Sequence, residues 1–209
     1  IFIFLFSSLV FYWLFENLFY TSDGFNIYSV LRNLSEFKGF YEGPIFENYL
    51  GVHTSFTLIL IAPLIGLFKN PSVLGYLNIF LYLLSSIFIF FISIEYKLSN
   101  ILSFFFSSIF FLFIFSSNGI LTPYHYQIDY LAVPLILLIL YSAKKKYKRI
   151  LYLSIALFIL TKEEYIIWTI GLLPLIIYLL NYKIQYVSRK IFYPIIFFFT
   201  LSTFSISTL

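Results

Sequence analysis

Eight stretches free of any charged residue dominate this chain: Ile1–Phe15, Ser55–Phe68, Val73–Ile94, Ile101–Ser117, Tyr130–Tyr141, Ile150–Leu160, Tyr165–Leu180 and Ile191–Leu209. Little else in the sequence constrains the fold as strongly. Charged residues are 11% of the chain, against about 25% in ordinary soluble domains. A water-soluble domain of 209 residues would lack the polar surface to cover itself. In hydrocarbon every backbone polar group needs an internal partner, which leaves helices or a closed barrel. No alternation of polar and apolar residues marks strands, so the stretches are expected to be helices. The expectation is an all-α, polytopic transmembrane helical bundle, with residues 1–209 forming a single transmembrane domain.

A full crossing takes roughly 20 residues. Val73–Ile94 and Ile191–Leu209 reach that length, and Ile101–Ser117 nearly does. The chain contains no Met, opens inside one apolar run and closes inside another. Both ends therefore read as cut from a longer protein, with Ile1–Phe15 the stump of a first span. No basic n-region or cleavage site marks a signal peptide. With no Cys in the chain, disulfides and thiolate metal sites are excluded. The 29 Phe and 19 Tyr accompany abundant Ile, Asn and Lys, as in an A/T-rich coding sequence, and carry no functional inference.

The net charge of +4 is not a nucleic-acid footprint, because the bases concentrate in two loops. One holds Lys144, Lys145, Lys146, Lys148 and Arg149; the other holds Lys183, Arg189 and Lys190. Both are assigned to the cytoplasm of a multi-pass plasma-membrane protein. Counting spans puts the Ser93–Asn100 turn on the same side, and Ser116–Asp129 and Thr161–Glu164 outside. The loop 16–52 carries five acids and two bases, which suits the outer face. Parity then conflicts with a full crossing by Ser55–Phe68, which would be about 21 Å long. Either that segment is partial or re-entrant, or it spans and one orientation is reversed. The pairs Ser85–Ser86, Ser107–Ser108 and Ser116–Ser117 are expected at helix contacts, where small hydroxyl residues permit close packing.

Ionisable residues at membrane depth are costly and mark sites or pathways. Lys162, Glu163 and Glu164 follow Thr161 only eleven apolar residues after Arg149. That places Lys162 about 18 Å into a hydrocarbon core of roughly 30 Å. Three charges there need a wet cavity, or a thinned bilayer in which they reach headgroups. In Thr122–Asp129, His125 and Asp129 are four apart and would share one helix face. An imidazole there could act as acid, base, metal ligand or phosphate contact; the plainer reading is an interfacial loop with aromatic-belt Tyr124 and Tyr126. His53 stands where the first loop re-enters the membrane. Asp23 precedes Phe25, Tyr28, Leu31 and Leu34, spaced for an interfacial amphipathic helix. Asp23 is either the N-cap of that helix or a base near the membrane surface.

Four segments, in order, resemble the domain-of-unknown-function 2079 family of predicted membrane proteins, grouped with the GT-C glycosyltransferases. They are Thr21-Ser-Asp23-Gly24 through Asn33-Leu34; Leu50-Gly-Val-His53 with Ala62-Pro63-Leu64; His125 with Leu131-Ala-Val-Pro134; and Thr161-Lys162-Glu163-Glu164. The match covers about residues 20 to 175. The chain departs from the family pattern at Tyr28, Ser29, Thr54 to Phe56, Tyr126 and Gln127.

The resemblance implies a GT-C-like fold and transfer of a sugar from a polyprenyl-phosphate carrier to an acceptor on the outer face. It implies Asp23 as the catalytic base. Substrate or lipid-phosphate binding falls to His53, His125, Asp129, Lys162, Glu163 and Glu164. Membrane lipid and the polyprenyl-phosphate-linked sugar are the expected partners. Some GT-C enzymes use a divalent metal; no spacing here demands one. The alternatives are a transporter or lipid flippase, for which no internal repeat is visible, and a non-catalytic membrane subunit.

Overall fold

A helix at Ser72–Glu95 is the spine against which the others align. The computed structural model describes Leu9 and residues 22–40, 55–117 and 128–181. In chain order the helices are α1 (Ser22–Ser35), α2 (Leu58–Phe68), α3 (Ser72–Glu95), α4 (Asn100–Ser117), α5 (Ala132–Lys145), α6 (Lys148–Thr161) and α7 (Tyr165–Asn181). A 3-10 turn at Ile128–Leu131 leads into α5. The described residues are all-helical and contain no strand. Among them α3 alone is long and apolar enough to cross a membrane, with 24 residues and a mean hydropathy of 2.3.

The helix ends are set by local chemistry. α3 closes with the amide of Leu98 on the carbonyl of Ser93 at 3.2 Å and Lys97 in the left-handed region at φ 60°. Ser99 then starts α4: its hydroxyl oxygen accepts from the amide of Leu102 at 3.3 Å, the usual N-cap bond. α5 closes the same way, with Tyr147 N on Ser142 O at 2.9 Å and Lys146 at φ 61°. Pro134 sits in the first turn of α5, where its missing N–H costs little.

α3 and α5 run parallel in a clear register. Tyr82 meets Tyr130 with ring centroids 5.4 Å apart, Phe91 meets Tyr141 at 6.1 Å, and Glu95 pairs with Lys145. The turns after α3 and α5 therefore lie at one end of the bundle, as the loop count expects. α4 returns along α3, and the Ser107 hydroxyl donates to the Ser86 carbonyl at 2.7 Å. That is the close serine contact foreseen in the sequence. Ile79, Tyr82, Ile89, Phe110 and Phe111 fill this interface. A second core joins α3, α5, α6 and α7 through Ile139, Leu140, Leu151, Phe158 and Leu179.

α5 and α6 have 14 residues each, or about 21 Å, whereas α3 is about 36 Å long. The first third of α3 thus extends beyond α5, and α1 and α2 pack against it at Leu74. Ile27, Val30 and Leu31 of α1 share a core with Leu58, Ile61, Ala62 and Ile65 of α2 and Leu74 of α3. A methyl added at Gly66 would stand 3.2 Å from Ser35 Cβ. The C-terminal end of α1 thus abuts the C-terminal part of α2.

Two local readings of the sequence change here. α1 begins at Ser22, so Asp23 lies inside the first turn rather than at the N-cap. The buried stripe is Ile27, Val30 and Leu31, with Tyr28 and Leu34 packed against the same core, so the face includes Tyr28, Leu31 and Leu34 of the expected one but is broader; the side chain of Phe25 lies outside the described residues. The helix turns toward a neighbouring helix, whose curved surface takes an i, i+3, i+4 face.

Candidate functional site

α6 stops because Lys162 is extended, at φ −160° and ψ 147°. The last carbonyls of any helix lack intrahelical donors. Here the amide of Thr57 donates to the carbonyl of Leu160 at 3.3 Å. This bond brings the entry to α2, four residues past His53, against the end of α6. The 128–131 turn also packs against α6.

Lys162, Glu163 and Glu164 then form the first turn of α7 through their carbonyls. Tyr165 N bonds Lys162 O at 3.0 Å, Ile166 N bonds Glu163 O at 3.3 Å, and Ile167 N bonds Glu164 O at 3.1 Å. Two carboxylates at a helix N-terminus meet the positive end of its dipole. Lys162 Nζ lies 3.4 Å from Glu164 Oε1; the lysine is 19% exposed and the glutamate 60%. Phe158 and Tyr165 stack across the turn, centroids 4.6 Å apart and planes 14° from parallel. The Thr161 hydroxyl donates to Leu157 O at 2.8 Å. The charged turn is thus held by helix geometry on both sides.

Beside it lies an apolar cavity of about 170 Å³, bounded by α2, α3, α5 and α6. Thr57, Leu81, Leu84, Leu131, Leu135 and Leu157 line it. Its level along α3 matches that of the Lys162 turn, about 20 Å from the basic end. A hydrocarbon chain fits such a lining; a charged headgroup does not.

Of the residues singled out in the sequence, Lys162, Glu163 and Glu164 are fully described and follow the cavity-lining Leu157 by five to seven positions. Asp23 and Asp129 are placed by backbone alone, in the first turn of α1 and in the 3-10 turn. His53 and His125 lie outside the described residues. The described segments flanking them, from Ser55 and from Ile128, both lead to the Lys162 end. Among the described residues no three His, Asp or Glu side chains cluster as metal ligands would.

Three polar residues escaped notice in the sequence. Ser55 and Thr57 are 0% and 5% exposed, and neither hydroxyl has a hydrogen-bond partner among the described residues. Asn78 is likewise buried, its Oδ1 unpartnered. It is the sole amide side chain within Val73–Ile94, and that isolation was the available signal. The run Thr54-Ser55-Phe56-Thr57 after His53 was the signal for the other two. The chain matches no family model, no curated protein and no solved structure.

Proposed function

We propose that this chain is a multi-pass membrane protein whose Lys162 end receives a phosphate-bearing lipid substrate. One observation carries the membrane reading: the surface is inverted relative to a soluble domain. Ile101, Phe104, Leu67, Ile167 and Ile170 are exposed by more than 60%. Meanwhile Ser85, Ser86, Ser93, Ser103, Ser142, Ser154 and Thr161 are exposed by 3% or less. Large apolar groups facing out, with hydroxyls facing in, suit a lipid solvent. α2 spans 11 residues, about 16 Å, and begins beside Leu160; it serves as a partial segment.

Within that setting the reading that best joins residues to chemistry is glycosyl transfer from a polyprenyl-phosphate-linked sugar, on the face away from the Lys144–Arg149 turn. The resemblance to the GT-C group supports it, and so does the bond from Thr57, just past the second segment's His53, to Leu160, just before the fourth segment. In the reaction, a hydroxyl of the acceptor attacks the sugar's anomeric carbon. The new carbon–oxygen bond forms as the bond to the carrier phosphate breaks, and the electron pair leaves with the phosphate oxygen. The Asp23 carboxylate takes the hydroxyl proton. Lys162 offsets the negative charge gathering on the departing phosphate. The apolar cavity beside Leu157 accommodates the first part of the carrier's hydrocarbon.

The test is transfer from radiolabelled polyprenyl-phosphate sugars to endogenous acceptors in membranes containing the full chain. Wild type should transfer label; Asp23→Ala should lower the rate about 100-fold or more. Lys162→Ala should do the same with the protein still inserted. Absence of transfer from any carrier, or an Asp23→Ala variant as active as wild type, contradicts the assignment.

A further inference from the structure

We infer that the basic end of the bundle, where the α3–α4 and α5–α6 turns meet, binds the headgroup of an anionic phospholipid. Six cations gather there: Lys97 on one turn, and Lys144, Lys145, Lys146, Lys148 and Arg149 on the other. Glu95 is the single acid in either turn. It is engaged by Lys145, with Nζ 2.5 Å from Oε1. Lys144 stands over the Tyr96 ring, 4.7 Å from its centroid. Lys97, Lys146, Lys148 and Arg149 remain exposed at the surface.

The backbone supplies a second, independent observation. Lys97 and Lys146 both occupy left-handed positions, at φ 60° and 61°, where glycine is favoured and a side chain is strained. A cation at a helix C-terminus also meets the dipole, but Lys144 and Lys145 already do so in the last turn of α5. Lysine at both turn tips instead projects two ammonium groups beyond the helix ends on the same side. Apolar surface starts immediately beside them: Tyr147, Ile150, Tyr152, Ile101 and Leu102 are all exposed. Charge at the tip with hydrocarbon directly behind it fits a lipid, headgroup and chains together, rather than a free anion.

This inference rests on the membrane reading, and the experiment separates the two. The full chain is reconstituted in nanodiscs of phosphatidylcholine, alone or mixed equally with phosphatidylglycerol, and the lipids it retains on extraction are counted by native mass spectrometry. The variants are Lys97→Gly with Lys146→Gly, which relieve the left-handed strain while removing charge, so misfolding is not the expected outcome. Lys69→Gly is the control: Lys69 is also left-handed, at φ 49°, but lies at the other end of α3. Wild type and Lys69→Gly should retain phosphatidylglycerol in excess. The double variant should lose that excess by about fivefold per lysine. Equal retention of both lipids by wild type, unchanged retention by the double variant, or the same loss in Lys69→Gly overturns the inference. Insertion into phosphatidylcholine alone keeps the membrane reading intact in those cases; failure to insert in either bilayer overturns both.

Discussion

The amide of Thr57 hydrogen-bonds the carbonyl of Leu160 across 3.3 Å, and this one bond ties the entry of α2 to the exit of α6. It answers a need of α6, whose final carbonyls have no partners within the helix. Thr57→Pro removes the donor, and the φ of −63° at Thr57 already suits proline. The expected cost is about 1–3 kcal/mol, from a carbonyl left unsatisfied. Leu160→Ala keeps the carbonyl and trims a side chain that is 42% exposed, so it should cost far less. Thermal unfolding in detergent compares the two; equal losses would show that the bond carries no weight.

The serine contact between α3 and α4 gives a second expectation. Ser107→Ala deletes the hydrogen bond to Ser86 O and should cost about 0.5–1 kcal/mol. Ser107→Leu must also push the helices apart and should cost about 1–3 kcal/mol. Denaturant titration followed by helix signal orders the variants. A leucine variant as stable as wild type would show that the helices do not meet at this point.

Two glycines should respond in opposite directions. A Cβ at Gly66 would meet Ser35 Cβ at 3.2 Å, whereas nothing lies within 4 Å of one at Gly171. Gly171→Ala should be neutral or stabilising by up to about 1 kcal/mol, from helix propensity alone. Gly66→Val should separate α1 from α2 and destabilise that pair first. Hydrogen exchange resolved over Ile27–Leu34 checks this, and unchanged protection in Gly66→Val would contradict the packing of α1.

The turn after α1 has its own pH dependence. Glu36 accepts from Lys38 at 2.5 Å and from Arg32 at 3.3 Å, and the bond from Lys38, followed by that from Arg32, holds its carboxyl below the ordinary value of 4.5. A depressed carboxyl contributes stability above its unfolded value and loses it as pH falls through its folded one. The protection factor at 34–38, which removes the intrinsic pH dependence of amide exchange, should therefore be steady above the ordinary carboxyl range and fall below it. Glu36→Gln should show no such step, and a step of equal size in that variant would assign it to another group.

How far the sequence spoke depends on the kind of residue. Long uncharged runs such as Val73–Ile94 carry their own boundaries, and the helix found is Ser72–Glu95. That the Ser93–Asn100 and Lys144–Arg149 turns share one end followed from counting spans, whereas the pairing of Glu95 with Lys145 came only from the structure. The pairing of Thr57 with Leu160 was no more legible, because they lie more than a hundred positions apart and neither residue type signals it. Asn78 passed unremarked for a related reason: one amide barely alters the hydropathy of a long apolar run, yet once buried it is a large local cost. The face of α1 proved broader than spacing by three, because Ile27 and Val30 are buried beside Leu31. For the candidate site, the charges of Lys162, Glu163 and Glu164 were conspicuous from composition alone. Their role as the first turn of α7 became visible only in the backbone bonds.

The central claim is that the Lys162 turn and the lysine-rich turn sit on opposite faces of a membrane, the first reached by water from outside. The chain has no cysteine, so single-cysteine variants each report one position. Glu163→Cys and Lys148→Cys, in sealed membranes of known orientation, are treated with a membrane-impermeant maleimide before and after permeabilisation. The account predicts that Glu163→Cys is labelled from outside and Lys148→Cys only once the cytoplasmic side is opened. Labelling of both from the same side, or of Lys148→Cys from outside, contradicts it.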